Sequence, residues 1–355
     1  MSDTVDLLLL SLGTTRGLRI ADAQFAEMAR SAGASVAIAG TRIGVTNRLR
    51  RGYPVNDIVE ALAARRALEQ ALRRHRPRAL VLSSTTAAML VDMGKLPAAV
   101  WLDSPARLNR PGMRNSILHL LEQRQLARAR VLLVLSEPAV AALPDGHAPT
   151  FVIPPPIEES APSERPRERV VVAYTPDPKA KDLELACRAW EQTDAGEARL
   201  VVTGIDPQRA LAFLRRRGVE LPAGVELAGM LDRDRFRELL GQAVVFFSAA
   251  RWEDFGITPL EALDRGAVLV GAPGGGPFPA LAIAKELDAR FVASDRSPAA
   301  VARSLQAALA VGDDELARYR SAARARLAPF RERAIVERLR DEVLPLLLEG
   351  GSRCG

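Results

Sequence analysis

The sequence has little cysteine and no long apolar run. Its two cysteines, Cys187 and Cys354, lie far apart and match no metal-binding or redox spacing. A reducing, cytoplasmic setting is therefore expected, and a fold held together by disulfides is excluded. The apolar run LLLLSLG (7–13) is too short to span a membrane and has no basic region before it. We interpret it as a first β-strand and not as a signal peptide.

Lysine and aromatic residues are also scarce. The chain has a net charge of +6, from 49 basic and 43 acidic residues, but only four of the basic residues are lysines: Lys95, Lys179, Lys181 and Lys285. Aromatic residues make up 5% of the chain, and the arginines are interleaved with acids. Aromatic platforms beside basic stripes are not visible, so we predict no nucleic-acid partner. Peripheral contact with an anionic membrane surface stays open, beside the simpler interpretation of solvated helix faces.

The remaining composition is that of an ordinary globular protein, with 48% hydrophobic and 26% charged residues over 355 positions. That length allows two domains. In residues 1–150, short apolar runs alternate with helical stretches, which predicts a parallel sheet with helices on both faces. The strand candidates in this part are DLLLLSL (6–12), SVAIAG (35–40), ALVLS (79–83), AAVWLD (98–103) and VLLVLS (131–136).

A Pro-, Ser- and charge-rich segment, residues 151–168, is predicted to be a linker. The alternation then restarts in residues 169–332, which predicts a second domain. Its strand candidates are VVVAY (170–174), RLVVTG (199–204), VELAG (225–229), AVVFFS (243–248), AVLVGA (267–272) and RFVAS (290–294). Residues 333–355 are predicted to form an amphipathic helix that caps the second domain or crosses back to the first. The predicted fold class is α/β, with two doubly wound Rossmann-like domains facing a central cleft.

The stretch RWEDFGITPLEAL (251–263) places two acids around a turn between a predicted strand and a predicted helix. Thr258 and Glu261 match a T-x-x-E capping box, so helix capping is one interpretation of Glu261. The backbone N–H groups at a helix start also favour a phosphate, and Gly256 would let the backbone approach it closely. A phosphate flanked by Glu253 and Glu261, whose carboxylates suit sugar hydroxyls, describes a nucleotide-sugar site.

This E-x7-E pattern, with an internal Phe-Gly, resembles the signature of the retaining glycosyltransferases of family four, which have the GT-B fold. Further segments resemble that family in order and spacing along nearly the whole chain: LARARVLLVLSEPAVAAL (126–143), VIPPPIE (152–158), KDLEL (181–185) and the stretch that leads into the acidic motif (225–250). The resemblance implies transfer of a sugar from a nucleotide-diphosphate sugar to a hydroxyl acceptor, with retention of configuration. It implies no metal and no cofactor apart from that substrate.

The resemblance also implies roles for individual residues. Glu261 would hold the ribose hydroxyls, Glu253 would lie near the transferred sugar, and Lys181 would neutralise the diphosphate leaving group. Lys179, two positions earlier, is the competing choice for the last role. Backbone amides for the sugar and diphosphate would come from one turn: Phe255, Gly256, Ile257 and Thr258.

Three departures from the family pattern stand out. The second domain's first strand is followed by AYTPDP (173–178) instead of Gly-Arg, so one usual phosphate-binding arginine is missing. Asp103 stands where relatives often have a histidine that touches donor and acceptor; it could take over that role or be a turn or capping residue. The segment GTTRG (13–17) replaces a Gly-Gly loop near the donor phosphate. There, close backbone approach and positive charge would come from Gly13, Gly17 and Arg16.

The acceptor is expected in the first domain. The loop 103–119 is unusually rich in polar and basic residues, and four of them are candidates for gripping a sugar, lipid or small-molecule acceptor: Arg107, Asn109, Arg110 and Arg114. The alternative is a mobile basic loop. Residues 41–54 form a second candidate edge.

Two rival functions remain at this point. The first is a catalytically idle GT-B module that binds sugar nucleotide or acts as a partner subunit, which the missing Gly-Arg favours and the intact E-x7-E disfavours. The second is another GT-B chemistry, such as phosphorolysis or nucleotide-sugar epimerisation. A nicotinamide dehydrogenase is less favoured because G-x-G-x-x-G is absent. Asp232 and Asp234 have D-x-D spacing, but they are expected in the charged first turn of a helix and not at a metal.

Overall fold

The computed structural model describes residues 3–14, 16–41, 55–160 and 169–348. The chain divides into two compact units. The first unit comprises Met1–Pro156 together with Phe330–Gly355, and the second comprises Ile157–Pro329. Each unit contains one parallel β-sheet with helices packed against it.

The sheet of the first unit has six strands: β1 (Asp3–Ser11), β2 (Val36–Gly40), β3 (His75–Leu82), β4 (Ala98–Leu102), β5 (Val131–Val134) and β6 (Thr150–Val152). Their spatial order is β2-β1-β3-β4-β5-β6, and every neighbouring pair is parallel. Alternate residues of β1 enter different cores: Leu7 and Leu9 join one buried cluster, and Leu8 and Leu10 join another. The sheet is therefore covered on both faces, which explains the continuous apolar run in the sequence.

In the described part of this unit, six helices connect these strands: α1 (Arg16–Ser31), α2 (Val55–Leu72), α3 (Thr85–Ala88), α4 (Ala106–Asn109), α5 (Ser116–Arg128) and α6 (Glu137–Val140). On α1, Phe25, Met28 and Ala29 are buried at spacings of three and one, as is Ala32 directly after the helix. A 3-10 turn, Met113–Asn115, precedes α5.

The sheet of the second unit has five strands: β7 (Val170–Tyr174), β8 (Arg199–Thr203), β9 (Val225–Gly229), β10 (Val245–Ser248) and β11 (Val268–Gly271). Their spatial order is β11-β10-β7-β8-β9, again parallel throughout. Among residues 157–160 and 169–329, seven helices surround it: α7 (Leu183–Glu191), α8 (Pro207–Arg216), α9 (Arg233–Gln242), α10 (Ile257–Asp264), α11 (Pro279–Leu287), α12 (Pro298–Leu309) and α13 (Asp313–Arg326).

The C-terminal segment continues as α14 (Glu332–Arg338), a π-helical turn (Leu339–Val343) and α15 (Leu344–Leu348). Its apolar side chains, including Ile335, Leu339 and Leu347, belong to the same buried cluster as Leu7 and Phe25. The end of the chain therefore completes the core of the first unit. Among the described residues, no helix combines the length and the apolar character needed to cross a bilayer.

Two sequence expectations are wrong in detail. Residues 290–294 do not form a strand, because Asp288 accepts a hydrogen bond from the backbone N–H of Arg290 (2.9 Å) and caps a 3-10 turn, Ala289–Phe291. Only a single bridge joins Val292 to Gly271. The predicted linker also begins too early, since residues 150–152 form β6 and pair with β5.

Candidate active site

A cavity of about 180 Å³ lies in the second unit, at the carboxyl ends of β7 and β10. The chain runs from β7 to β8 and β9 on one side and returns to β10 and β11 on the other, so strand order reverses between these two strands. Ligands of doubly wound sheets bind at this reversal point, where the loops diverge. The lining comes from the end of β7 (Ala173, Tyr174, Thr175, Pro176), from β10 and the residues after it (Phe246, Phe247, Ser248, Ala249, Ala250), from the start of α10 (Gly256, Ile257, Thr258, Pro259) and from Lys181, Ala186 and Glu253.

Gly256 fixes the approach of the chain into α10. Its φ of +76° lies in the left-handed region, and it is the residue at which the helix is capped. A Cβ at this position would lie 2.9 Å from Cε2 of Phe278 and 3.1 Å from Cγ of Glu253. The backbone therefore passes close to Glu253 only because the residue is glycine.

The predicted capping box is wrong. The helix begins at Ile257, so Thr258 already lies inside its first turn and no side chain caps the helix. A capping glutamate needs its Ser or Thr partner at the N-cap. Glu261 therefore does not form the capping box that its spacing from Thr258 suggested. Gly256, Ile257 and Thr258 line the cavity.

Lys181 and Glu253 meet in the cavity, although 72 residues separate them in the sequence. The Lys181 ammonium donates a hydrogen bond to the Glu253 carboxylate, and the two side chains are 22% and 18% exposed. Lys181 is the one cation among the described residues that line the cavity. Lys179 is exposed and is not part of the lining. The structure thus places Lys181, and not Lys179, beside the acid.

Behind this pair lies an arginine that sequence reasoning missed. The Arg296 guanidinium donates to the backbone carbonyls of Ala249 (2.8 Å), Ala250 (3.0 Å) and Pro273 (2.7 Å). It also donates to the Asp182 carboxylate at 2.6 Å. These contacts tie the residues after β10 to the start of α7, immediately next to Lys181.

Asp182, the carboxylate partner of Arg296, was also not predicted from the sequence. It is 4% exposed, has a φ of +50°, and caps α7 by accepting from the backbone N–H of Leu185. Arg251 pairs with the same carboxylate at 2.9 Å. An aspartate before an apolar helix is a recognisable capping signal, but no sequence signal connects it to Arg296.

Glu261 lies partly buried on α10 and is not among the cavity-lining residues. Burial raises the pKa of its carboxyl above the ordinary value, while the nearby charges of Arg237, Arg233 and Arg265 act in the opposite direction. Arg233 and Arg237 both pair with Glu158, at 2.7 Å for Arg233. Two arginines are thereby held near a half-buried acid.

The remaining site predictions of this unit have mixed placements. Phe255 is 5% exposed, so its side chain belongs to the core, and any ligand contact there would be through the backbone. Tyr174, Thr175 and Pro176 occupy the wall where the family pattern has Gly-Arg. Asp232 caps α9 by accepting from the backbone N–H of Arg235 at 2.9 Å, which confirms the charged helix start expected there. The described part of the chain has no cluster of His, Cys, Asp and Glu suited to a metal ion.

Residues 157–326 match the family described as "Glycosyl transferases group 1". The C-terminal unit belongs to this family. Among solved structures, the chain is similar to sucrose-phosphate synthase from Thermosynechococcus elongatus (TM-score 0.71, 16% identity, covering 96% of this chain and 97% of that one). It is also similar to HepE from Anabaena in complex with UDP and glucose (TM-score 0.67, 15% identity, 96% and 98% covered). A third is a glycosyltransferase from Rickettsia africae (TM-score 0.69, 14% identity, 98% and 99% covered). A search of curated protein sequences found no match.

These likenesses span nearly the whole chain and show that both units together have the GT-B fold. With the family of the C-terminal unit, they make the chain a glycosyltransferase. The doubly wound α/β fold predicted from the sequence is confirmed.

In this glycosyltransferase the predicted residues of the first unit are spread over two regions. Gly13 has a φ of +56°, and a Cβ there would lie 3.3 Å from Oγ of Ser11. Gly17 does not lie in the predicted loop, because α1 already begins at Arg16. The side chain of Arg16 lies outside the described residues.

Asp103 follows β4, is exposed, and accepts a hydrogen bond from the backbone N–H of Ser104 at 2.7 Å. It is a turn residue and does not cap α4, whose N-cap is Pro105. Arg107 is exposed, whereas the Asn109 amide nitrogen donates to Oγ of Ser104 at 3.0 Å.

Arg110 pairs with buried Asp57 at 3.4 Å, and its carbonyl accepts from the Asn115 amide at 2.9 Å. It therefore contributes to the packing of this loop, for which a mobile basic loop was the alternative to an acceptor site. The Arg114 side chain and residues 42–54 of the second candidate edge lie outside the described residues.

Two buried acids of the first unit were also missed. Asp22 is 2% exposed and accepts hydrogen bonds from the Ser11 and Ser83 hydroxyls at the ends of β1 and β3, where this sheet reverses its strand order. Burial raises its pKa to about 6. Glu122 accepts from the backbone N–H of Ala106 at 2.8 Å, and burial raises its pKa to about 7.

Proposed function

We propose that this glycosyltransferase transfers a sugar from a nucleotide-diphosphate sugar to a hydroxyl acceptor, with retention of anomeric configuration and without a metal ion, in the cytoplasm. The observation that carries the proposal is the cavity at the ends of β7 and β10, which brings the start of α10 together with Lys181 and Glu253. Backbone amides and one cation in a single pocket suit a diphosphate.

The proposed roles follow from position. Lys181 neutralises the diphosphate as it leaves, which is the largest electrostatic need of the reaction. Glu253 accepts hydrogen bonds from hydroxyls of the transferred sugar when the ligand separates it from Lys181. Glu261, which caps nothing, accepts from the ribose hydroxyls.

Retention is proposed to proceed by attack of the acceptor hydroxyl on the face from which the diphosphate departs. The departing phosphate then takes the acceptor's proton. The bond from the anomeric carbon to the phosphate oxygen breaks as the new glycosidic bond forms, so no enzyme nucleophile is required. Arg107 and Asn109 in the first unit are proposed acceptor contacts, with Asp103 near the reacting centre.

The alternative is a catalytically idle sugar-nucleotide module. Tyr174, Thr175 and Pro176 replace the family's Gly-Arg and leave one cation in the cavity lining of the described chain, which favours this alternative. The intact E-x7-E, with Glu253 paired to Lys181 in the cavity, favours an active enzyme.

Release of nucleoside diphosphate distinguishes the two. The protein is incubated with a panel of UDP-, GDP- and ADP-sugars, beginning with UDP-glucose because UDP and glucose occupy HepE. Release that persists in EDTA and yields a product of unchanged anomeric configuration by NMR supports the proposal. Binding without release across glycoside and lipid acceptors supports the idle module, and an inverted product contradicts retention.

A further inference from the structure

Helix α5 carries apolar residues on two opposite faces. Its inner face is buried through Leu118 and Leu126, which are 6% and 1% exposed. On its outer side, Ile117 and Leu120 are 75% and 68% exposed, and their spacing of three residues places them on one face. Met113, in the 3-10 turn that precedes α5, is 91% exposed. The outer face of a surface helix is normally polar, so this exposure calls for a partner.

Helix α2 also carries exposed apolar residues. Ile58 and Leu62 are each 43% exposed, and Ala61 between them shares a buried cluster with Leu118 of α5. Both helices pack against α3, and both leave large apolar side chains in solvent. We call Met113, Ile117 and Leu120 the apolar surface.

The exposed charges within α4 and α5 are all basic, and the neighbouring Asp92 pairs with Arg128 at 4.0 Å. Between positions 104 and 128 the only acid is Glu122, which is 5% exposed and directed to the Ala106 amide. Arg107 and Arg124 are exposed, and neither forms an ion pair within the described residues. Arg124 follows Leu120 by four residues and so shares its face. Exposed apolar side chains edged by unpaired arginines match the interface of an anionic lipid bilayer.

We propose that the apolar surface docks this protein onto the surface of an anionic membrane. Met113, Ile117 and Leu120 enter the boundary between headgroups and acyl chains, and Arg124 contacts lipid phosphates. Since α5 has 13 residues, it lies along the membrane and does not cross it. A second copy of the chain is a poorer occupant, because it would bring the same unpaired arginines together. The inference does not depend on the proposed function.

Vesicle co-sedimentation of the full chain tests this docking. Vesicles of phosphatidylglycerol mixed with phosphatidylcholine are expected to bind the protein at least tenfold more strongly than pure phosphatidylcholine, and 500 mM salt is expected to weaken the binding. Ile117→Ser with Leu120→Ser is expected to lower binding at least tenfold, and Arg124→Glu about as much. Matched controls in the second unit, Met230→Ser (71% exposed) and exposed Arg215→Glu, should leave it within twofold.

Equal binding by the double variant and the wild type would overturn the proposal, as would no binding to anionic vesicles. A dimer in size-exclusion chromatography that Ile117→Ser with Leu120→Ser converts to a monomer, without any vesicle binding, would assign the surface to a second copy instead. Unchanged melting temperatures show that the variants are folded, as expected for exposed positions.

Discussion

The ammonium of Lys181 and the carboxylate of Glu253 form an ion pair across the cavity of the second unit. Each group is positioned by a neighbour: Lys181 by the adjacent helix cap Asp182, and Glu253 by the close packing of Gly256. Without ligand, the two charges neutralise each other. A bound diphosphate would pair with the Lys181 ammonium, and the Glu253 carboxylate could then accept hydrogen bonds from sugar hydroxyls. The two residues together would thus contact both parts of the donor.

Replacing Lys181 by Met should lower kcat about 100-fold or more, because the positive charge at the leaving group is lost. The exposed Lys179→Met, two residues away, should lower it by less than about threefold. Steady-state kinetics with the best donor from the panel measures both. Comparable losses in the two variants would mean that the assignment between these lysines is wrong.

Replacing Gly256 by Ala should lower both stability and activity. The left-handed backbone costs a non-glycine residue about 1–2 kcal/mol, and the new Cβ would press on Phe278 and Glu253. Gly241→Ala is the matched control, because Gly241 lies within α9 and a Cβ there meets nothing within 4 Å. Alanine at that position should be neutral or stabilising. Thermal unfolding and donor KM are the readouts, and a wild-type-like Gly256→Ala would contradict the packing described.

Arg296→Met should destabilise the second unit by about 1–3 kcal/mol, because three backbone carbonyls lose this donor and buried Asp182 keeps Arg251, which is 59% exposed, as its cationic partner within the described residues. Arg296→Lys should recover part of the stability but not the kcat, since one ammonium cannot reach all four acceptors. The exposed Arg303→Met on α12 is the control. A wild-type kcat in Arg296→Lys would show that activity does not require the guanidinium to hold all four acceptors at once.

The pH dependence of stability should report on Asp22. Burial raises its folded pKa to about 6 from an ordinary 3.8, so the folded chain keeps a proton that the unfolded chain loses. Stability therefore falls as pH rises from about 4 to about 6, by roughly 3 kcal/mol. Asp22→Asn should remove this part of the slope in urea unfolding, whereas Glu27→Gln, an exposed acid on the same helix, should keep it. An unchanged slope in Asp22→Asn would show that Asp22 does not titrate in this range.

The sequence could predict the parallel sheets and the strand–turn–helix that carries Glu253 because both depend on local patterns. Continuous apolar runs such as 6–12 mark strands buried on both faces, and the strand–turn–helix around Gly256 follows from a few neighbouring residues. The position of Lys181 just before α7 could also be predicted, since Asp182 marks the start of that helix.

The errors come from competition that a local pattern does not show. Gly256, and not Thr258, is the N-cap of α10, because Gly256 adopts a left-handed conformation and the helix starts two residues earlier than predicted. Residues 290–294 do not form the predicted strand because Asp288 caps a 3-10 turn there. Arg296 reaches Asp182 across 114 positions, and only the folded chain brings such partners together.

Isothermal titration calorimetry of UDP, GDP and ADP against the full chain tests the central claim, that this cavity holds a nucleoside diphosphate. At least one of them should bind, and Glu261→Gln should weaken that binding about 10- to 100-fold through lost hydrogen bonds to ribose. Glu220→Gln, an exposed acid after α8, should bind as the wild type does. No heat with any of the three, or equal affinity in Glu261→Gln and the wild type, would contradict the account.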